Sequence, residues 1–546
     1  MSSPIPDPIA AGLAAGWQVI DAASLQSDRT LEADVVIIGS GAGGGITAEL
    51  LARAGLTVLI VEEGGLKSSK DFKMREADAY PALYQESAAR KTRDKAINIL
   101  QGRTVGGSTT VNWTSSFRAP PATLAHWQSH HGLAGYTVAA MAPWFEMVER
   151  RLHVGDWPAP PNENNDLLRR GARQLGIPTA AIRRNVNGCW NLGYCGMGCP
   201  TNAKQSMLVT TIPAALQLGA RLLTHARAER FVLQGERIAS LQVTALDVAG
   251  QAPTGTRLTL LAKHFVLAGG AINSPALLLR SNAPDPHKLL GRRTFLHPTV
   301  ISAALFTQRV DAHAGAPQTI YSDHFLGVEP IDGAIGYKLE APPLHPLLMA
   351  TTMGGFGDEH AQTMRQFPHV HGLLALLRDG FHEEASGGAV GLDGHGNAVL
   401  DYPLTPFVWD GVRRALLSMA EIQFAAGARS VYPVHEMARH YTSWAQARQA
   451  IDGLPYRALL ARVVSAHVMG GCAMSDDARL GVCDAQGRYR GLANLSVHDG
   501  SLFPTSIGAN PQLSIYALAA RLASSLAQAL TGKAAPGFGT EKEAEA

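Results

Sequence analysis

The segment that most constrains the fold of this chain is Gly39-Ser40-Gly41-Ala42-Gly43-Gly44. It follows a short apolar run, Ala33-Asp34-Val35-Val36-Ile37-Ile38. It precedes Ile46 to Ala54, where apolar residues recur at helical spacing until Gly55 ends the pattern. Leu56 to Val61 is a second apolar run, and Glu62 sits at its end. Such runs suit strands buried on both faces of a parallel sheet. Strand, glycine turn, helix, strand and acid together make one βαβ unit. A bare GxGxxG occurs in many tight turns, but inside this unit each glycine has a task. Gly39 turns the chain, Gly41 lets the backbone approach a pyrophosphate, and Gly44 lets the helix pack on the sheet. The helix N-terminus offers free N–H groups to phosphate. Glu62, about 20 residues on, is placed to accept hydrogen bonds from a ribose and to repel a 2′-phosphate. The unit predicts a dinucleotide site that disfavours NADP, and it does not separate NAD from FAD.

The rest of the chain sets limits. With 546 residues and ~150 per domain, two to four structural units are expected. Hydrophobic residues are 46% and charged residues 17%, which excludes a disordered chain, a coiled coil and a charged-tail protein. The net charge is +2 and no Lys/Arg stripe is present, so nucleic acid is not an expected partner. Five cysteines in so long a chain do not form a secreted disulfide framework, which favours a reducing compartment. No Lys or Arg precedes Arg29, so a secretory n-region is missing. The longest uncharged runs, 205–220 and 341–357, carry Pro or Gly and fall short of a ~20-residue apolar span. The expectation is a cytoplasmic protein without an integral membrane segment. Short apolar stretches from Arg221 to Leu267 read as a meander returning to a parallel strand at His264 to Leu267. LSIYALAARLASSLAQAL, ending at Leu530, reads as a helix. The expected organisation is an extension at 1–30, a nucleotide-binding domain from 31–120, 201–300 and 463–535, a substrate or cap domain from 121–200 and 301–462, and a tail at 536–546.

Three further stretches choose the dinucleotide. They are Gly102-Arg103-Thr104-Val105-Gly106-Gly107-Ser108, continuing to Asn112; Gly269-Gly270-Ala271-Ile272-Asn273-Ser274-Pro275; and His467-Val468-Met469-Gly470-Gly471, with Val497-His498-Asp499-Gly500-Ser501 and Asn510-Pro511 after it. With the first glycine turn and Glu62-Glu63-Gly64-Gly65, these resemble the glucose–methanol–choline (GMC) flavoprotein oxidoreductases, in order and spacing from about residue 33 to the last helix. The detail is closest to the long-chain-alcohol-oxidase-like and cholesterol-oxidase-like branches. The resemblance implies an α/β fold: a discontinuous Rossmann-like FAD-binding domain with a mixed α+β substrate domain built on an antiparallel sheet. It implies that Gly39, Gly41, Ala42, Gly43, Gly44, Glu62 and Glu63 hold the ADP half of FAD. Arg103, Gly106, Gly107, Ser108 and Asn112 would pass beside the flavin, and Asp499, Gly500, Asn510 and Pro511 would contact its other parts. Some members tether the flavin through a His just before the Asn112 position. Here that residue is Val111, so the FAD is expected to be non-covalent. The second motif usually continues into Ser-Gly, whereas this chain has Ser281-Asn282.

Oxidising an alcohol needs a base for the hydroxyl proton, and histidine titrates in the right range. Among 20 histidines the resemblance selects His467 as the catalytic base, with Asn510 as a donor to the substrate oxygen. His498 is expected to face away, because strand neighbours alternate. Cys189, Cys195 and Cys199 lack paired C-x₂-C zinc spacing and the C-x₂-C-x₂-C iron–sulfur run, so no metal site is assigned. A Gly/Cys-rich loop near the flavin, followed by Lys204-Gln205-Ser206, is the expectation, with a reactive thiol as the alternative. Trp113, Phe117, Trp190, Tyr194, Met353, Phe356 and Trp409 favour an apolar pocket. The function expected is FAD-dependent oxidation of a hydrophobic alcohol to an aldehyde or ketone, with oxygen, a quinone or a cytochrome as electron acceptor. The alternatives are a lyase or decarboxylase of the same family, or a non-enzymatic flavin-binding protein.

Overall fold

The fold is taken from a computed structural model, which describes residues 5–534 and 536–538. The first residues of the N-terminal extension and most of the 536–546 tail lie outside the described residues. The glycine-turn unit forms as expected, with longer elements. Strand β1 (Arg29–Ile38) leads through the turn into helix α1 (Ala42–Arg53), and β2 (Val58–Val61) returns beside β1 in parallel register, Val35 opposite Val58. The helix starts four residues earlier than the apolar spacing indicates. Gly43, Gly44 and Gly45 lie inside its first turn, where the absence of side chains permits close packing.

This sheet has eight strands. Its third key member is β3 (Pro253–Leu267), which contains the parallel strand expected at His264 to Leu267 and begins 11 residues before it. Its first half pairs antiparallel with Arg237–Leu246, which pairs in turn with Ala226–Gln234. Along its length it also runs parallel to β1, and its last residues, Phe265 to Leu267, run parallel to Leu495–Val497. After β3, helix α2 (Gly270–Arg280) follows directly. Its Asn282 lies just beyond the C-terminus at φ +50, a left-handed conformation that Asn tolerates nearly as well as the glycine usual there.

A second eight-stranded sheet is largely antiparallel. At its centre, β4 (Thr299–Leu305) pairs with β6 (Val370–Leu377), which pairs with β5 (Tyr337–Glu340). Each sheet carries its own hydrophobic core. Helix α2 bridges them: Leu277 and Leu278 belong to the first core, Ile272 and Ala276 to the second. Leu124, Trp127, Phe145 and Val148, from helices Pro121–His131 and Val138–Arg151, also join the first core, so the two cores do not divide at residue 120.

The last helix, α3 (Gln512–Thr531), is long and apolar enough to cross a membrane by length and composition. Counting uncharged runs missed it because Arg521 interrupts the stretch. In the fold it packs against α1, with Leu513, Tyr516, Ala520 and Ala523 buried in the first core.

Candidate active site

Between the two cores lies a cavity of about 870 Å³. Its wall draws Gly39, Gly41, Ala42 and Gly43 from the first turn, and Thr299, Leu374 and Leu376 from the second sheet. Of the residues expected at the site, Glu62, Glu63, Gly107, Ser108, Asn112, His467, Asp499, Gly500, Asn510 and Pro511 also line it. Gly44, Arg103 and Gly106 do not. Each supports a lining residue instead. A Cβ on Gly44 would run into the Gly39 carbonyl oxygen. The Arg103 guanidinium pairs with Glu63 at 3.0 Å. The Gly106 N–H donates to Ser40 Oγ at 2.9 Å.

The glycine turn is shaped by close approaches. Gly39, at φ +100, lies where any side chain would strike the Ala268 carbonyl. Gly43 abuts the His498 carbonyl in the same way, a constraint that no spacing rule announced. A Cβ on Gly41, by contrast, would meet nothing closer than Gly107 Cα at 3.8 Å. No side chain caps α1, so its first N–H groups remain open at the cavity edge. Glu62 is buried. Its Oε2 accepts from the Ser40 N–H (3.1 Å) and Oγ (2.6 Å), and its Oε1 from the Gly64 N–H (2.9 Å). Burial pushes its pKa up, against those donors. A carboxylate accepts about four hydrogen bonds, so one position remains for a ligand hydroxyl. An uncapped helix N-terminus, a side-chain-free wall and an acceptor at the next strand end together fit a dinucleotide.

Asp499 lines the cavity with its carboxylate tied into the protein. Its Oδ2 accepts from the Gly270 N–H and Ser274 Oγ, and its Oδ1 from the Ser501 N–H, which fixes the turn entering α2. His498 is turned away from the cavity, with Nδ1 2.9 Å from Thr47 Oγ1. The loop from Cys189 to Cys199 lies behind the wall. Tyr84 and Trp113 both line the cavity; the Tyr84 hydroxyl donates to the Gly196 carbonyl, and a Cβ on Gly196 would come within 3.1 Å of Trp113 Nε1. Buried Lys204 binds the arrangement together: its Nζ donates to the carbonyls of Thr110 (2.6 Å), Asn112 (2.9 Å) and Cys195 (2.7 Å). The cysteines are free, and among the described residues no three His, Cys, Asp or Glu side chains gather as a metal site would require.

On the cavity wall, His467 Nδ1 lies 3.1 Å from His297 Nδ1, while its Nε2 has no hydrogen-bond partner among the described residues. Desolvation, reinforced by the Lys338 charge, lowers its pKa to about 3, so the imidazole is neutral at ordinary pH. Asn510 donates from Nδ2 to Glu340 Oε2 at 3.3 Å. Glu340 is 3.9 Å from Lys338, and this buried ion pair is absent from the sequence reading. Burial raises the Glu340 pKa and lowers that of Lys338 to about 7. The Lys338 ammonium sits 3.0 Å from the Phe117 ring centroid and 4.1 Å from that of Tyr321. Of the seven residues expected to make an apolar pocket, only Trp113 lines the cavity. Met353 and Trp409 fill the second core, Phe117 covers Lys338, and Tyr194 packs on His345. Trp190 and Phe356 are 63% and 90% exposed. Hydrophobic type alone does not tell core, surface and pocket apart.

Family models described as GMC oxidoreductase match residues 60–299 and 386–519. An uncharacterized GMC-type oxidoreductase of Sinorhizobium fredii is 30% identical over 502 residues, covering 92% of this chain and 95% of its own. The chain is a GMC oxidoreductase. As such it is a FAD-dependent oxidoreductase of alcohol-type substrates. This GMC oxidoreductase is also similar to a long-chain-alcohol oxidase of Arabidopsis thaliana, at 27% identity over 532 residues, covering 91% of this chain and 67% of that one. In fold it matches pyridoxine 4-oxidase from Mesorbium loti with a TM-score of 0.66, at 19% identity, covering 90% of this chain and 98% of that one.

Proposed function

We propose that this GMC oxidoreductase oxidises a hydrophobic alcohol to an aldehyde or ketone, with His467 as the base. The observation that carries the reading is an imidazole on the cavity wall whose Nδ1 is occupied while its Nε2 has no partner among the described residues. His467 Nε2 takes the hydroxyl proton. Asn510 has one amide hydrogen on Glu340 and a second free to steady the substrate oxygen as charge develops. Bound FAD supplies the acceptor for the hydride leaving the carbinol carbon. Gly39, Gly41, Ala42 and Gly43 hold its phosphates, Glu62 its ribose, and Gly107, Ser108, Asn112, Gly500 and Pro511 the remainder. Val111 offers no side-chain nucleophile, which supports non-covalent attachment.

The apolar part of the substrate assignment draws on Leu100, Trp113, Leu374, Leu376, Val464 and Ile515 in the cavity wall, and on the similarity to long-chain-alcohol oxidases. Names of similar proteins that end in oxidase favour oxygen as the electron acceptor. The test is anaerobic stopped-flow with a panel of alcohols, followed by mixing with air-saturated buffer. Long-chain or alicyclic alcohols should bleach the flavin and oxygen should restore it. His467→Gln should keep its yellow colour and lose ~10²- to 10⁴-fold in reduction rate. Bleaching by polar sugars alone would overturn the substrate assignment, and unchanged reduction in the variant would overturn the base.

A further inference from the structure

We infer that His297 is the positioning residue of His467, holding it in the one tautomer able to take a proton from the cavity. The inference rests on His467 being the base.

The contact is Nδ1 to Nδ1 at 3.1 Å, so one ring donates and the other accepts. If His297 donates, His467 already carries its hydrogen on Nε2, and the nitrogen that faces the cavity has no lone pair. If His467 donates, its Nε2 is a free acceptor. Only the second arrangement survives proton uptake without rearrangement. Once Nε2 is protonated, both His467 nitrogens bear hydrogens, and Nδ1–H needs an acceptor in place. His297 Nδ1 is that acceptor. It does not take the proton further. His297 is fully buried, and the charged groups around it are Lys338 from β5 and Arg378 just past β6, with His467 as the third neighbour; all disfavour a second positive charge there. Asp379, next to Arg378, does not touch the imidazole; it takes the backbone N–H groups of Leu296 and His297, at 3.1 and 3.2 Å.

The backbone is held for this purpose. His297 has φ +49, unusual for a residue with a Cβ, and strain of this kind persists only where the surroundings enforce it. Asp379 enforces it, itself fixed by the Tyr402 hydroxyl at 2.6 Å. Ser465 ties the two histidines together: its Oγ donates to the Leu296 carbonyl at 2.5 Å and accepts the His467 N–H at 3.4 Å. With Nδ1 accepting, the His297 hydrogen sits on Nε2, which is buried with no partner among the described residues, so this arrangement carries the cost of one unpaired donor.

The test uses the FAD-loaded enzyme labelled with 15N-histidine. In the wild type at pH 8, the His467 signals, assigned by their loss in His467→Gln, should report Nδ1 protonated and Nε2 bare. His297→Leu should move them toward the Nε2-protonated form. It should slow flavin reduction by about 10²-fold or more, with FAD content and alcohol affinity within about twofold; a wrong tautomer in a comparable base costs up to about 10⁴-fold. His297→Asn places an amide oxygen where Nδ1 stood, and should recover the rate to within about tenfold of wild type. His297→Asp should shift the pH profile of reduction upward. An Nε2-protonated His467 in the wild type overturns the inference. So does a His297→Leu rate within twofold of wild type while His467→Gln is inactive. Should His467→Gln itself reduce normally, the base reading fails and takes this one with it. If His297→Leu does not fold, the wild-type tautomer and the Asn and Asp variants still decide.

Discussion

At the scale of single residues, the cavity chemistry is set by charges that the fold keeps dry. Lys338 is the clearest case, because its pKa of about 7 falls within the working range. Below pH 7 its ammonium opposes a second positive charge on His467. Above pH 7 it loses its proton and that opposition ends. The rate of flavin reduction should therefore rise about three- to tenfold as pH passes through 7, a pKa unit being worth a factor of ten. Lys338→Met should abolish the step and hold the upper rate at pH 6, read by anaerobic stopped-flow. His467, Asn510 and the glycine positions were legible in the sequence because each sits in a motif with fixed order. Lys338, Glu340 and His297 were not. Lys338 and Glu340 alternate with Tyr337 and Leu339, as on a strand with one wet face, yet all four are buried. His297 is one histidine in an apolar run before a proline, and nothing local marks it. Their roles arise from contacts between distant segments: His297 with His467 and Glu340 with Asn510 are each 170 residues apart, and Lys338 with Phe117 is 221.

At the scale of elements, the unit β1–α1–β2 was readable because periodicity and turn chemistry agree there. Its boundaries were not, since the glycines of the turn serve equally as the first turn of the helix. Gly44 shows what that overlap demands. With any side chain there, α1 must move off the Gly39 carbonyl, and the N–H groups facing the cavity move with it. Gly44→Ala should cost about 1–3 kcal/mol, the usual range for overpacking. Urea unfolding should register the loss, and the ratio of flavin to protein absorbance should fall. Strand β3 was harder to read. Pro253 to Leu267 changes partner partway along, and a sequence records where a strand is apolar, not which neighbour it borrows.

At the scale of the whole molecule, the number of buried histidines matters more than any one of them. Ten among the described residues have pKa values held below the ordinary 6.5, by desolvation first. Each binds its proton more readily when unfolded. Its contribution is therefore intact above pH 6.5 and is lost as pH falls toward the folded value. Five buried carboxyls with raised pKa values act in the opposite sense. The histidines outnumber them, so the urea midpoint should drop from pH 7 to pH 5; an unchanged or rising midpoint would refute this balance. The cavity adds a consequence of its own. Its walls draw on two separate hydrophobic cores that α2 bridges. A molecule lying between them acts as a rivet, and its binding energy is counted only when both halves are folded. Calorimetry of FAD-free protein should resolve two melting steps, and saturation with FAD should merge them into one cooperative transition at higher temperature.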